Sequence, residues 1–227
     1  MKKIAINFLA VLFISALSFT KAFAVDLTFG VSGAIVDLQA EGSETETGRV
    51  SAETSKTESV SNTFGAGSIF AEAQFGRIAF GLDYIPMDAD VSDATHTRTD
   101  TETSVTGTDT ATETSRTQTA AAEVSDHITL YANYYISDSF YVHLGHASVD
   151  VNTNESLGTG SKYGNVNIDG IQYGFGFQMT DNLRFEAAYT DYDDVSITSS
   201  VARTGVTTNN KVSADLDTTQ LKLSYHF

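Results

Sequence analysis

The chain has 227 residues and a formal net charge of −16, from 13 basic and 29 acidic residues, and it contains no cysteine. The acidic balance argues against a nucleic-acid partner, because phosphate binding needs clustered Lys and Arg. The absence of cysteine excludes disulfides, thiol catalysis and cysteine-ligated metal sites.

Residues 1–24 have the pattern of a cleaved secretory signal. Two lysines precede a long apolar run, and the run is followed by small residues of the kind that signal peptidase prefers. A membrane-anchoring helix is the alternative, but the run is short for a span and Lys21 follows it closely. We therefore expect a mature domain at 25–227 with 10 basic and 29 acidic residues, a net charge of −19.

The pattern that dominates the rest of the chain has a period of two. Each segment alternates apolar residues with polar residues or glycine, which predicts a strand with one apolar face. Eight segments show this alternation: 27–35, 69–75, 78–84, 128–136, 140–144, 171–179, 183–190 and 219–227.

Short and long connections alternate strictly between these segments. The short ones consist of turn residues and lie at 76–77, 137–139 and 180–182. The long ones are rich in Thr, Ser, Asp, Glu, Gly and Asn and lie at 39–61, 88–123, 152–166 and 196–213. In an up-and-down meander this order places every short turn and both termini at one end, and every long loop at the other.

The alternation by itself does not say which face of the sheet points outward. A water-soluble barrel keeps its apolar residues inside, and a soluble β-protein is the alternative here. The polar face, however, carries Glu72, Asp83, Arg184, Glu186 and Lys222 besides several glycines. Together with the export signal and the loop asymmetry, this favours a lipid-facing exterior. The sequence therefore predicts an all-β, eight-stranded antiparallel up-and-down transmembrane β-barrel.

At this point the chain resembles the small eight-stranded outer-membrane β-barrel proteins of Gram-negative bacteria, of the OmpA, OmpX and OmpW type. The resemblance covers 25–227 and includes the ending LKLSYHF. It implies an outer-membrane location with periplasmic termini, contact with outer-membrane lipid, and a monomer. It also implies delivery by periplasmic chaperones to the outer-membrane assembly machinery, with Leu221, Leu223, Tyr225 and Phe227 as the assembly signal.

The inward-facing charges need partners, because removing one member of a buried ion pair is expensive. We expect Glu72, Arg184, Glu186 and Lys222 to form a charge network in the lumen. Eight strands leave an interior just wide enough for side chains to fill. A static plug is therefore the preferred interpretation, and a gate or narrow polar pore is the alternative.

Three places interrupt the alternation, and Pro86 and Gly145 lie at two of them. Such residues suggest β-bulges. Without a bulge, His146 would face lipid. With bulges, the outward apolar series would continue at shifted positions: near Val36 after Ile35, at Met87, Ala89 and Val91 after Tyr84, and at Ala147, Val149 and Val151 after Leu144.

No metal, cofactor or catalytic site stands out. His143 and His146 lie on one segment but lack a third ligand at a convincing spacing, so a lumen or interfacial role is preferred over a metal site. The long connections hold one histidine, His96, among abundant Ser, Thr and Asp. The resemblance includes some enzymes, yet we expect a non-catalytic structural or surface-interaction role. The alternative is a narrow passive pore or a conduit for small solutes or hydrophobic molecules, although no sequence feature marks an opening in the wall.

The longest connection, 88–123, carries threonine at nearly every second position over 95–119. Threonine favours strands, and cross-strand threonine pairs are modestly stabilising. A hairpin that pairs Thr103 with Thr108 and Thr101 with Thr110 would continue strands three and four into a solvated β-extension. A mobile low-complexity loop is the alternative. The acidic loop has no aromatic cluster that would specify an extracellular partner.

Overall fold

The computed structural model describes residues 25–46, 54–92, 96–103, 113–156, 162–199 and 211–227. The segment 1–24, which the sequence assigns to a signal peptide, lies outside these ranges. Within them, no helix combines the length and the apolar character that crossing a membrane would require.

All strands of the described residues belong to one antiparallel sheet. They are β1 (Asp26–Glu46), β2 (Thr54–Phe75), β3 (Ile78–Ile85), β4 (Ala89–Asp90), β5 (His96–Thr103), β6 (Glu113–Tyr135), β7 (Phe140–Ser156), β8 (Asn165–Gln178), β9 (Leu183–Tyr192), β10 (Val195–Thr198) and β11 (Lys211–His226).

Eight of these strands close into a ring in the order β1-β2-β3-β6-β7-β8-β9-β11. The first and last strands complete the ring, with pairs that run from Gly30 and His226 to Thr45 and Lys211. The short strands β4 and β5 continue the β3 side of the wall along β6, and β10 continues β9 along β11. The structure therefore confirms the predicted eight-stranded antiparallel barrel.

The predicted short turns are confirmed between β2 and β3, β6 and β7, and β8 and β9. Gly76 has a positive φ of 62°, which suits the two-residue turn at 76–77. The strands extend further toward the opposite end than the alternation indicated. For example, β1 and β2 remain paired up to Glu46 and Thr54, so most of the predicted loop 39–61 is sheet.

The lower half of the barrel, on the side of the short turns, has an exposed apolar belt. Large side chains point away from the lumen there, and many are about half exposed: Phe29, Val31, Ile35, Ile69, Phe80, Leu130, Tyr134, Leu144, Ile171, Tyr173, Phe175, Leu221, Leu223 and Tyr225. A continuous surface of this kind is typical of a lipid-facing barrel wall. We call it the lipid band.

Above the lipid band the two faces of the sheet exchange character. On β1 the outward series changes from Ile35 to Asp37 and Gln39, while buried Val36 and Leu38 occupy the inward positions. On β11, outward Thr219, Asp217 and Asp215 follow Leu221, and Leu216 is buried inside. The two strands change at the same level, because Ile35 pairs with Leu221 and Asp37 with Thr219.

The inward apolar residues above the lipid band form one core inside the barrel. Its buried members are Leu38, Val91, Ala147, Val149, Val151, Ile168, Tyr192, Val195 and Leu216. Apolar inside and polar outside is the facing of a water-soluble barrel. The chain therefore combines a lipid-facing barrel below with a water-facing barrel above, built on the same strands.

This exchange overturns the predicted bulges in β1 and β7, and it contradicts the predicted outward shift after Tyr84 at Val91, although Met87 is exposed. The register of β7 with β8 is continuous through Gly145, so Ala147, Val149 and Val151 stay inside, at 0%, 3% and 7% exposure. Val36 and Val91 are likewise buried. These apolar residues stay on the inward face because they fill a core there. The strands therefore need no bulge at these positions.

Two further features concern the places where bulges were considered. His146 lies on the outward face, beside Asp169, with Nε2 3.6 Å from Oδ1. The register shift that does occur lies in β6 between Ser125 and Ile128. There Asp126 has a φ of 52° and accepts a hydrogen bond from the Tyr84 hydroxyl at 2.9 Å.

The threonine-rich segment forms the predicted β-extension, but in a different register. Thr101 pairs with Ser115 and Thr103 with Glu113, so the predicted partners Thr110 and Thr108 are wrong. The residues 104–112 between the two strands lie outside the described ranges. A repeat that is polar on both faces specifies register weakly, which is why the alternation could not fix the pairing.

Candidate functional site

The lower lumen is closed by an ion pair between Glu72 and Arg184. Arg184 Nη1 lies 3.2 Å and 3.0 Å from the two carboxylate oxygens of Glu72. Tyr131 Oη and Asn133 Nδ2 each donate to Glu72 Oε2 at 3.1 Å. These four side chains are buried, so the carboxylate has a full set of donors in place of water.

Aromatic rings enclose the guanidinium of Arg184. Its Cζ lies 5.1 Å from the centre of the Phe70 ring and 5.5 Å from that of Tyr141. The ring of Tyr141 is fully buried and packs against Tyr135 at a centroid distance of 5.2 Å. Tyr141 occupies the space that a side chain at Gly176 would need, so this glycine is required for the close approach.

A second ion pair lies above the first. Lys222 Nζ is 2.7 Å from Glu186 Oε1 and 3.2 Å from Asp83 Oδ2. Tyr141 Oη donates to Glu186 Oε2 at 2.9 Å. Because the Tyr141 ring also contacts Arg184, it joins the two pairs into one assembly, which we call the plug.

The structure thus brings each of the four sequence-predicted lumen charges next to an opposite charge. Sequence reasoning placed Asp83 on the polar face but left it out of the network. It preferred a lumen or interfacial role for His143 but named no partner for it, and it missed the uncharged members Asn133 and Gln172. The signal of these two residues was available, since they occupy inward positions of alternating strands, and a buried polar group there needs a partner.

His143 links the uncharged polar side chains that lie beside the two ion pairs and belong to the plug. Its Nδ1 lies 2.8 Å from Asn133 Oδ1, and its Nε2 lies 2.9 Å from Gln172 Oε1. Gln172 Nε2 in turn donates to Thr190 Oγ1 at 2.9 Å. Both ring nitrogens are therefore used inside the plug, while His146 points outward from the same strand, so these histidines do not share a metal site.

Little polar space remains directly above the plug. A small cavity beside Ser32, Ser68, Thr129 and Gln220 has a volume of about 10 Å³, close to the roughly 10–15 Å³ that one water needs. The hydroxyls of Ser32 and Ser68, which line it, are hydrogen-bonded to each other at 2.5 Å. Among the described residues, the plug and this layer fill the lower lumen with side chains.

An apolar cavity lies above this layer, at the level where the faces exchange character. Its volume is about 50 Å³. We call it the chamber. The apolar side chains that line it are Val36, Leu38, Phe64, Ile85, Met87, Ala89, Val124, Val149, Tyr192 and Leu216, and Gln220 and His127 also contribute to its lining.

Three carboxylates cluster on the outward face just above the lipid band. Asp191, Asp215 and Asp217 each place one oxygen within 4.8 Å of the others. Loss of hydration, followed by repulsion from Asp217, Asp194 and Asp191, raises the pKa of Asp215. Oxygen ligands suit Ca²⁺ and Mg²⁺, but no other feature of the described residues at this cluster points to a cation.

The residues assigned to the assembly signal lie at the end of β11. Leu221, Leu223 and Tyr225 point outward and are about half exposed, and Phe227 is 77% exposed. The rings of Tyr225 and Phe227 are 5.4 Å apart. The backbone N–H of Phe227 donates to the carbonyl of Phe29 at 2.9 Å, so the last residue is held against the first strand.

The sequence matches no protein-family model and no curated protein. Among solved structures it is similar to Neisserial surface protein A, with 12% identity, 90% of this chain and 99% of that chain covered, and a TM-score of 0.38. It is also similar to the outer membrane protease OmpT from Escherichia coli, with 12% identity, 88% and 96% coverage, and a TM-score of 0.44. The toluene transporter TodX of P. putida follows with 10% identity, 92% coverage of both chains, and a TM-score of 0.33.

These scores carry no argument about function, and the three solved proteins have different roles. The chain's own geometry is more informative. Its strands close a ring, its lower exterior is apolar, and its lower lumen holds paired charges. The chain is therefore an eight-stranded antiparallel β-barrel whose lower half has the exterior of a lipid-facing wall.

Proposed function

We propose that this protein is a non-conducting, non-catalytic barrel that holds an extended β-wall at the cell surface, in a structural or surface-interaction role. The observation that carries the proposal is the plug. Arg184 and Lys222 are each buried against carboxylates, at 3.0 Å from Glu72 and 2.7 Å from Glu186. An ion that crossed the lumen would have to break these pairs in a poorly hydrated space, which is costly.

The wall above the lipid band supports the surface role. Beyond Ile35, its last lipid-facing residue, β1 continues for eleven residue steps to Glu46, which is about 36 Å along the strand. Its outward side chains Gln39 and Glu41, and Ser59 and Ser61 on β2, are polar and exposed. With the apolar core inside, this section is built to remain folded in water.

The route to the membrane is part of the same proposal. A cleaved signal at 1–24 exports the chain, and periplasmic chaperones pass it to the outer-membrane assembly machinery. The outward alternation of Leu221, Leu223, Tyr225 and Phe227 presents a regular apolar edge for that recognition. Closure of the ring by β1 and β11 of one chain supports a monomer, because no strand from a second copy is needed.

Conductance across planar lipid bilayers tests the proposal. The wild-type protein is expected to insert without discrete current steps. Replacement of both Glu186 and Lys222 by alanine removes one ion pair and is expected to raise the leak current. Regular steps in the wild type that disappear when Glu186 or Lys222 is neutralised would instead establish the alternative, a narrow polar pore.

A further inference from the structure

The barrel wall has a seam between β2 and the strands that follow it. β2 and β3 pair from Phe75 and Ile78 up to Ile69 and Tyr84. Above that level β3 ends at Ile85, and both β4 and β5 pair with β6. Within the described residues, β2 from 54 to 68 therefore has a strand partner only on its β1 side.

Pro86 explains where the seam begins. Proline has no N–H to donate to a ladder and is confined to strand edges and ends. Above it, two contacts that involve side chains cross the seam in place of a ladder. The Gly67 N–H donates to Met87 Sδ at 3.2 Å, and Asn62 Nδ2 donates to the Asp90 carbonyl at 2.7 Å. A thioether is a weak acceptor, so the lower contact is easily opened.

The seam opens at the upper edge of the lipid band. Gly65 pairs with Ile35, the last lipid-facing residue of β1. Met87, on the other side of the seam, is 47% exposed. Gly65 and Met87 also line the chamber. The lipid phase, the seam and the chamber therefore form one continuous apolar path through the wall.

The chamber is closed toward the periplasm by the layer of Gln220 and His127 and by the plug below it. Its volume of about 50 Å³ compares with roughly 10–15 Å³ for a single water, so it has room for a few carbon atoms. Asp88 lines the chamber and is exposed, and exposed Asp90 lies at the upper contact of the seam. These carboxylates disfavour an anionic group at the mouth.

We propose that the chamber binds the end of an unbranched alkyl chain that enters sideways from the outer leaflet, between β2 and the β3–β4 connection. The ligand class is a small amphiphile with an uncharged polar head, which remains at the mouth beside Asp88. The plug makes the chamber a binding site that is closed below, so this inference adds a ligand to a barrel that does not conduct.

The methyl groups of the methionines can report binding of the alkyl chain by NMR. The chain has three, at positions 1, 87 and 179. Met87 lies at the mouth, and Met179 lies at the short-turn end of the barrel. The folded protein, labelled with ¹³C at the methionine methyl groups, is placed in lipid nanodiscs and titrated with 1-octanol. The Met87 signal is expected to shift and saturate while the Met179 signal stays in place.

Two glycine variants form a matched pair. A Cβ at Gly65 or at Gly33 would meet no atom within 4 Å, so Gly65→Leu and Gly33→Leu are both expected to fold. The leucine at position 65 lies at the mouth, and saturation is expected to weaken at least about tenfold, equivalent to roughly 1.4 kcal/mol. Gly33→Leu is expected to behave as the wild type. Heat-dependent gel mobility confirms that both variants are folded.

Octanoate at neutral pH tests the selectivity, and it is expected to shift Met87 less than 1-octanol does. The proposal is overturned if Met87 and Met179 shift together without saturation, which is simple partitioning into lipid. It is equally overturned if Gly65→Leu saturates at the same concentration as Gly33→Leu.

Discussion

Arg184 Nη1 lies 3.0 Å from Glu72 Oε2, although 112 positions separate the two residues in the sequence. The pair joins β2 and β9 across the lumen. It is enclosed by aromatic rings and both residues are buried, so its energetics are those of a buried ion pair rather than a surface one.

Glu72→Gln is expected to lower the free energy of unfolding by about 3–5 kcal/mol, because it leaves Arg184 charged and buried without its partner. Urea unfolding in lipid vesicles measures the change. Asp26→Asn removes an exposed carboxylate from the same end of the barrel and is expected to have little effect. The double variant Glu72→Gln with Arg184→Met is expected to recover part of the loss. A double variant that is less stable than Glu72→Gln alone would contradict this account.

Gly176→Ala is expected to destabilise the barrel by about 1–3 kcal/mol, because the methyl group enters the space of the Tyr141 ring. Displacement of that ring also strains the hydrogen bond from Tyr141 to Glu186. Gly33→Ala is the control, since a Cβ there meets no atom within 4 Å. The midpoint of the heat-dependent gel shift compares the two variants, and equal midpoints would argue against close packing at Gly176.

The exchange of faces at the top of the lipid band predicts a sharp step in solvent access. Ile35 and Asp37 lie on the same outward face of β1, two residues apart. The chain has no cysteine, so Ile35→Cys and Asp37→Cys carry single thiols. In whole cells, a membrane-impermeant maleimide is expected to label Asp37→Cys rapidly and Ile35→Cys slowly. Equal labelling of the two would place the edge of the membrane elsewhere.

Leu38→Ala tests whether the apolar core above the membrane contributes to folding. Leu38 is 1% exposed and faces this core, so its truncation is expected to cost about 2–5 kcal/mol. Gln39→Ala, the next residue on the outward face, is expected to cost much less. Urea unfolding of both variants gives the comparison. A loss as small for Leu38→Ala as for Gln39→Ala would mean that this section is not a packed core.

The carboxylate cluster gives a pH dependence. The pKa of Asp215 is raised above its ordinary value of 3.8 in the folded protein. The folded state therefore holds this proton more tightly than the unfolded state does, and the associated stability is present at low pH and lost as the pH rises through the raised pKa. Asp215→Asn has no carboxyl group at this position, so it does not lose stability in this way as the pH rises. It is expected to be more stable than the wild type at neutral pH and to lose this advantage below pH 3.8.

Unfolding measured across pH 3 to 7 checks the sign of this difference. Asp26→Asn, at the opposite end of the barrel, serves as the control for removal of an exposed carboxylate. A constant difference between Asp215→Asn and the wild type at all pH values would exclude repulsion within the cluster as its cause.

The candidate site was only partly readable from the sequence. The alternation along β9 and β11 predicted that Arg184, Glu186 and Lys222 face the lumen, because side chains on a strand alternate with a period of two. The identity of each partner was not readable, since the pairs lie across the lumen on strands far apart in the chain. Asn133 and Gln172 occupy inward positions, but their roles were not predicted, because the side chains that they contact lie on other strands.

The sequence by itself determined the strands of the lower half and the short turns, since these follow from local alternation and from turn residues such as Gly76. The side of each strand that faces lipid there followed from the charges on the polar face and from the loop asymmetry, because alternation alone does not assign it. Only the tertiary structure decided that the same apolar alternation passes to the inside above Ile35, and that Pro86 leaves a seam beside Met87. The physical reason is that alternation is symmetric between the two faces. Which face is buried depends on the medium outside each level of the wall, and that is set by the closure and height of the whole barrel.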